Sequence, residues 1–171
     1  MTKSHREFQG KVIAVDRETV RLPNGHDCEL EIIRHPGGAA VVALNEDKQV
    51  CLLRQYRHVA EDWLWELPAG KLEKDEPPLT TAQRELKEEA GVSAQDWIEL
   101  GEILTSPGVL QETIYLYLAT GLNLTEACHD ADEVMEVHWL DFKQALSWAG
   151  SGKIKDAKTI IGLYRAQQNL I

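Results

Sequence analysis

The sequence predicts an α+β fold, a mixed β-sheet packed between helices with an antiparallel β-meander in front of it, on three observations. Residues 10–34 alternate apolar and polar, residues 39–44 form an unbroken apolar run, and between Leu79 and Ala90 the apolar positions adopt a helical period. Strands on both sides of a central helix, with further helices at the end, are the pattern of a sheet covered by helices.

In chain order, Val12, Ile13, Val15, Val20 and Leu22, then Leu30 and Ile32, give the meander, which Pro23-Asn24-Gly25 turns back on itself. His35-Pro36-Gly37-Gly38 punctuates the chain, and Ala39 to Leu44 reads as a central strand buried on both faces. A boundary falls there, dividing residues 1–36, a meander subdomain, from residues 37–171, the main domain. Gln49 to Arg57 is a further strand and Trp63 to Leu67 a short extended piece. Leu79, Ala82, Leu86 and Ala90, at spacings of 3, 4 and 4, mark one face of a helix, with Pro77 and Pro78 at its start and Gly91 at its end. Strands are expected over Ile98–Leu104, Thr113–Ala119 and Val134–Leu140, and helices over Phe142–Trp148 and Asp156–Asn169.

At 171 residues, 43% of them hydrophobic, the chain holds one substantial core and is short for two catalytic domains. Its net charge of -10 would repel a nucleic-acid backbone or an anionic lipid surface, so neither is an expected partner. A small anionic substrate remains possible where local cations or a metal receive it. MTKSHREFQG lacks the apolar centre of a signal peptide, and no apolar run reaches the ~20 residues of a membrane span, so a cytoplasmic protein is expected. Cys28, Cys51 and Cys128 are far apart and form no CxxC pair, and they read as buried or half-buried thiols without chemistry.

The informative segment is GKLEKDEPPLTTAQRELKEEAGV, Gly70 to Val92. At 100° per residue the four apolar positions share an arc of roughly 80°, while Glu85, Glu88 and Glu89 share a different arc of about 100°. Like charges at these spacings repel, so the pattern calls for something positive among them. Hard oxygen donors with no neighbouring His or Cys point to Mg²⁺, or to Mn²⁺, and away from zinc. A solvated acidic face would explain an isolated Glu-Glu pair. It does not explain Gly70, Glu76, Arg84-Glu85-Leu86, Glu88-Glu89 and Gly91-Val92 at their particular separations.

Those residues resemble the Nudix box, GX5EX7REUXEEXGU with U aliphatic, at all nine specified positions over 23 residues. The resemblance implies a Nudix fold, a mixed-sheet α/β/α sandwich, and a hydrolase that cuts a diphosphate with two or three divalent ions. Carried over position by position, it makes Glu85 and Glu89 the main metal ligands. Glu88 and the Ala69 carbonyl would complete the set, and Arg84 would orient a carboxylate. Glu76, Gly70 and Gly91 would shape the motif. The catalytic group is expected to comprise Glu133, Glu88 and Arg84, with Glu133 the general base in the acidic stretch 130–136 and Asp132 and Glu136 as rivals.

Outside the box, Pro107, 16 residues after Gly91 in Thr105-Ser106-Pro107-Gly108, resembles the ADP-ribose pyrophosphatase branch. So do Glu66-Leu67-Pro68-Ala69-Gly70 and Leu53-Arg54-Gln55-Tyr56-Arg57. Arg54, Arg57, Glu66 and Glu112 are the candidate substrate contacts. Arg54 and Arg57, three apart, fall on opposite faces of a strand, so one of them binds substrate. Relatives of this branch imply a homodimer whose N-terminal strands reach across to the partner. The expected reaction is hydrolysis of ADP-ribose to AMP and ribose 5-phosphate. Its alternatives are a broader nucleoside diphosphate sugar hydrolase acting on GDP-mannose, a non-catalytic nucleotide-sugar sensor, and a hydrolase of oxidised nucleoside triphosphates.

Overall fold

The computed structural model describes residues 3–128 and 134–170. The meander is three strands, β1 (Lys3–Gln9), β2 (Ala14–Arg21) and β3 (Asp27–Arg34), all antiparallel. β1 has no apolar alternation and every residue of it is exposed, so only the ladder to β2 makes it a strand and no periodicity marks it. The Pro23-Asn24-Gly25 turn is present. Gly25 sits at φ 83, where a side chain would be strained, and its N–H bonds the Leu22 carbonyl at 2.8 Å. Arg6 and Arg34 converge on the buried Asp16, and their hydrogen bonds hold its carboxyl below the usual range.

The main body follows with β4 (Gly38–Ala43), β5 (Gln49–Arg57), β6 (Asp62–Glu66), β7 (Ala69–Lys71) and α1 (Pro78–Ala90). Then come β8 (Val92–Leu104), β9 (Leu110–Gln111), β10 (Thr113–Leu124), β11 (Met135–Asp141), α2 (Phe142–Gly150) and α3 (Ala157–Asn169). β8 and β10 exceed the expected strands by several residues, because they pair with each other as far as Leu124 opposite Val92. Cross-strand hydrogen bonding thus extends both strands beyond the segments expected from periodicity. β9, two residues long, pairs in parallel with Ile33 and Arg34 and ties the meander to the body.

The central sheet runs β7-β4-β10-β8, with β4 and β10 parallel and the other pairs antiparallel, and β11-β5-β6 forms a second, antiparallel sheet. Alternation along β4 sets the layers. Ala39, Val41 and Ala43 pack toward Ala82 and Leu86 of α1, whereas Ala40 and Val42 pack toward Leu163 and Ala166 of α3 and Ala145 of α2. The result is the expected α/β/α arrangement, with every β4 residue buried. α3 comes so close to the sheet that a Cβ on Gly162 would stand 2.7 Å from Leu67 Cδ1. Asp141 and Asp156 cap α2 and α3, accepting from the amides of Gln144 and Thr159. Among the described residues no helix is long and apolar enough to cross a membrane.

Candidate active site

The site is built on α1. Pro78 starts the helix, where its missing N–H is no loss, and Gly91 ends it at φ 63, with its N–H on the Lys87 carbonyl at 3.0 Å. Of the three glutamates, Glu85 and Glu89 are buried and Glu88 is half-exposed. The sequence assigns all three to one arc away from the core. The structure corrects the implied solvent exposure, because β7 crosses over the helix and the Ala69 N–H donates to Glu89 Oε2 at 2.7 Å. Beneath it, burial and then the Glu89 charge push the Cys51 thiol up to about 12, so it stays protonated and inert. Cys128, expected to be at least half-buried, is exposed at the rim of the cleft.

Arg84 supplies positive charge beside two of the three carboxylates. Its Nη1 donates to Glu85 Oε1 at 2.6 Å and to Glu88 Oε2 at 3.2 Å. Glu76 holds the guanidinium from behind, accepting from Nε at 3.1 Å and Nη2 at 3.0 Å, and also accepts from the Thr81 hydroxyl at 2.7 Å. The Arg84 hydrogen bonds, against a smaller effect of burial, hold the Glu76 carboxyl at about 2. Gly70 lies directly against the Glu85 carboxylate, and a Cβ there would overlap it. Among the described residues no three His, Cys, Asp or Glu side chains converge closely enough to hold an ion between them. The hard oxygens of Glu85, Glu88 and Glu89 nevertheless line one cleft beside the Ala69 backbone, a donor set that suits a divalent cation of the Mg²⁺ type.

The same cleft, of about 750 Å³, is also lined by two cations, Arg57 and Lys158. Arg57 donates through Nε and Nη2 to the two Glu66 oxygens at 2.7 and 2.9 Å, a fork that fixes its plane. Lys158, at the start of α3, bonds Glu66 and Asp156. Burial raises the Glu66 carboxyl, but Arg57 and Lys158 outweigh it and hold it at about 2. Burial likewise lowers the Lys158 ammonium, and Asp156 with Glu66 more than restores it. Glu112 lines the remaining edge, accepting from the Thr105 hydroxyl at 2.7 Å with His35 Nδ1 2.9 Å away.

The structure therefore gathers Ala69, Gly70, Arg84, Glu85, Glu88, Glu89, Arg57 and Glu112 around one cleft, with Glu66 and Glu76 behind the two arginines. Arg54 is on the other face of β5 and does not line the cleft. Pro107 forms the turn between β8 and β9, where the Ser106 carbonyl accepts from Val109 and Leu110, and it stays outside the cleft. Glu136 lies opposite Arg54 in the ladder, 3.9 Å from it, and does not reach the cleft either. Asp132 and Glu133 fall outside the described residues. His35, Gln55, Asp156 and Lys158 are not among the site residues expected from the sequence. Gln55 had a signal, being two residues before Arg57 on the same strand face, whereas Lys158 comes to the site only through the packing of α3.

The profile of the NUDIX domain matches residues 34–161, most of the chain, including the entire α1 cluster. The chain belongs to the NUDIX domain family. This NUDIX chain is 40% identical over 167 residues to a methanol dehydrogenase activator of Bacillus methanolicus, covering 96% of this chain and 90% of that one. It is 39% identical over 162 residues to an ADP-ribose pyrophosphatase of Bacillus subtilis (strain 168), covering 94% and 88%. The NUDIX fold itself is matched by the crystal structure of an ADP compounds hydrolase at TM-score 0.84 and 20% identity, over 98% of this chain and 91% of that one.

Proposed function

We propose that this NUDIX hydrolase cuts the diphosphate of ADP-ribose to give AMP and ribose 5-phosphate. One observation carries the reading, the carboxylates of Glu85, Glu88 and Glu89 lining the same cleft as the cations Arg57 and Lys158. The 39% identity to an ADP-ribose pyrophosphatase supports the choice of substrate. Glu85, Glu88, Glu89 and the Ala69 carbonyl would hold two or three divalent ions, Mg²⁺ or Mn²⁺. When bound, these supply positive charge against the diphosphate oxygens and acidify attacking water. Arg84, fixed by Glu76, sets the directions of the Glu85 and Glu88 carboxylates. Arg57 and Lys158 steer the substrate's phosphate oxygens, while Glu66 keeps both cations in place. Glu133 accepts the proton of the water that attacks phosphorus. Residues 1–36 are read as an appended meander and 37–171 as the hydrolase domain. The protein is read as a cytoplasmic homodimer, with the fully exposed β1 available to a partner copy and the three cysteines unpaired.

The test is a product assay with Mg²⁺ and an EDTA control, offering ADP-ribose, GDP-mannose, ADP-glucose, a dinucleotide and oxidised dGTP at equal concentration. Metal-dependent release of AMP from ADP-ribose well ahead of the others is the expected result. Equal rates across the sugars would replace it by a broad nucleoside diphosphate sugar hydrolase, and no turnover of any would leave a sensor. Glu133→Gln is expected to lower kcat with little change in KM. An unchanged kcat would remove Glu133 as the base.

A further inference from the structure

The β5–β6 hairpin presents two chemically different faces. Gln55 and Arg57 point into the cleft described above. Arg54 and Tyr56 alternate with them, and the ladder sets Arg54 opposite Trp65 and Tyr56 opposite Trp63. These four residues share the outer face. There a separate cleft of about 290 Å³ is lined by Arg54, Asp62, Trp63, Trp65, Lys153 and Lys155.

Two features of this cleft stand apart from its surroundings. The first is charge: three cations meet one lining carboxylate, Asp62, in a chain of net charge -10, with Glu136 at the margin 3.9 Å from Arg54. Asp62 pairs with Lys155 at 3.6 Å, but both are more than half exposed, so water screens the pair and an anion can displace it. The second is aromatic surface. The Arg54 guanidinium carbon lies 5.6 Å from the Trp63 ring centroid, and Tyr56 meets Trp63 edge-on at 6.0 Å. Trp65 packs against His138 at 4.9 Å and Trp148 at 5.2 Å, and Lys153 Nζ stands 3.1 Å over the Trp148 ring. A core would explain the indoles alone and a solvated surface the lysines alone. Neither explains half-buried indoles and converging cations in one concavity.

We propose that this cleft is a second binding site, separate from the catalytic one, for a nucleoside monophosphate. The indoles offer a stacking surface for a planar base, and Lys153, Lys155 and Arg54 receive the phosphate. Its volume, just below the ~300–1,000 Å³ usual for small-molecule sites, suits one nucleotide and is too small for a molecule the size of a nucleoside diphosphate sugar.

The test reads binding by the full chain in EDTA and so does not depend on the hydrolysis reading. AMP is titrated into ¹⁵N-labelled protein while the five indole N–H signals are followed, with ribose 5-phosphate and inorganic phosphate as parallel arms. The expected result is saturable movement of the Trp63 and Trp65 signals with a Kd below about 1 mM. Lys153→Glu combined with Lys155→Glu weakens it at least about tenfold, and so does Trp63→Ala, while the rest of the spectrum stays folded. Binding that survives the double variant overturns the proposal. So do equal affinity for ribose 5-phosphate or phosphate, which removes the base from recognition, and an absence of movement at both indoles.

Discussion

Gly70→Ala separates what the backbone requires from what the site requires. Gly70 is not in the left-handed region, so alanine brings no backbone strain. The added methyl would instead occupy the space of the Glu85 carboxylate, which must swing aside. That movement breaks the 2.6 Å hydrogen bond from Arg84, of a kind worth about 1.5–3 kcal/mol, and drives Glu85 off its rotamer at about 0.5–1.5 kcal/mol. Glu85 lies near the cleft surface and recovers part of this from water, so the net destabilisation is expected at about 1–3 kcal/mol. Displacing a carboxylate from the reacting centre should lower turnover by about 10–100-fold. The assays are urea unfolding and Mg²⁺-dependent release of AMP from ADP-ribose. Gly108→Ala is the control: nothing lies within 4 Å of its added methyl, and stability should change by less than about 0.5 kcal/mol. Wild-type turnover in folded Gly70→Ala would refute the placement of Glu85 at the reacting centre.

Three further outcomes are expected. Glu66→Gln leaves Arg57 and the largely buried Lys158 without their shared carboxylate and should cost about 3 kcal/mol at pH 7 by urea unfolding. Because the folded Glu66 carboxyl is lowered from 4.5 to about 2, its stabilisation is complete above the unfolded value and is lost as pH falls from 4.5 toward 2. The gap between wild type and variant should therefore close over that window, and a gap constant with pH would count against the linkage. Glu89→Gln keeps an oxygen for the Ala69 amide but removes a negative charge, so circular dichroism should stay native while AMP release falls at least about tenfold; undiminished release would exclude Glu89 from the site. Leu86→Ala empties a fully buried position between α1 and the sheet and should lower stability by about 2–5 kcal/mol, and a loss below about 1 kcal/mol would contradict the packing of that layer.

Much of the fold was legible because burial imprints a period. Two-residue alternation located β2 and β3, the apolar run located β4, and the 3-4-4 spacing located α1 with both its ends. β1 and β9 were not legible, since one holds a single apolar residue, the exposed Phe8, and the other is two residues long. Each exists only because a partner strand lies beside it, and hydrogen bonding between distant segments leaves no local pattern.

The same division runs through the site. Sequence alone determined the carboxylate helix, the residues that match the family's box, and the need for a positive group among three like charges, because helical geometry fixes the directions of residues three and four apart. Only the tertiary structure decided that Arg84 bonds both Glu85 and Glu88 and that Glu89 is buried under β7. It alone sent Arg57 into the cleft and Arg54 out of it, since strand geometry says that the two oppose each other but not which face meets α1. It alone brought Lys158, 92 residues along the chain from Glu66, to the same carboxylate. Local spacing records which side chains share a face, and packing decides what that face meets.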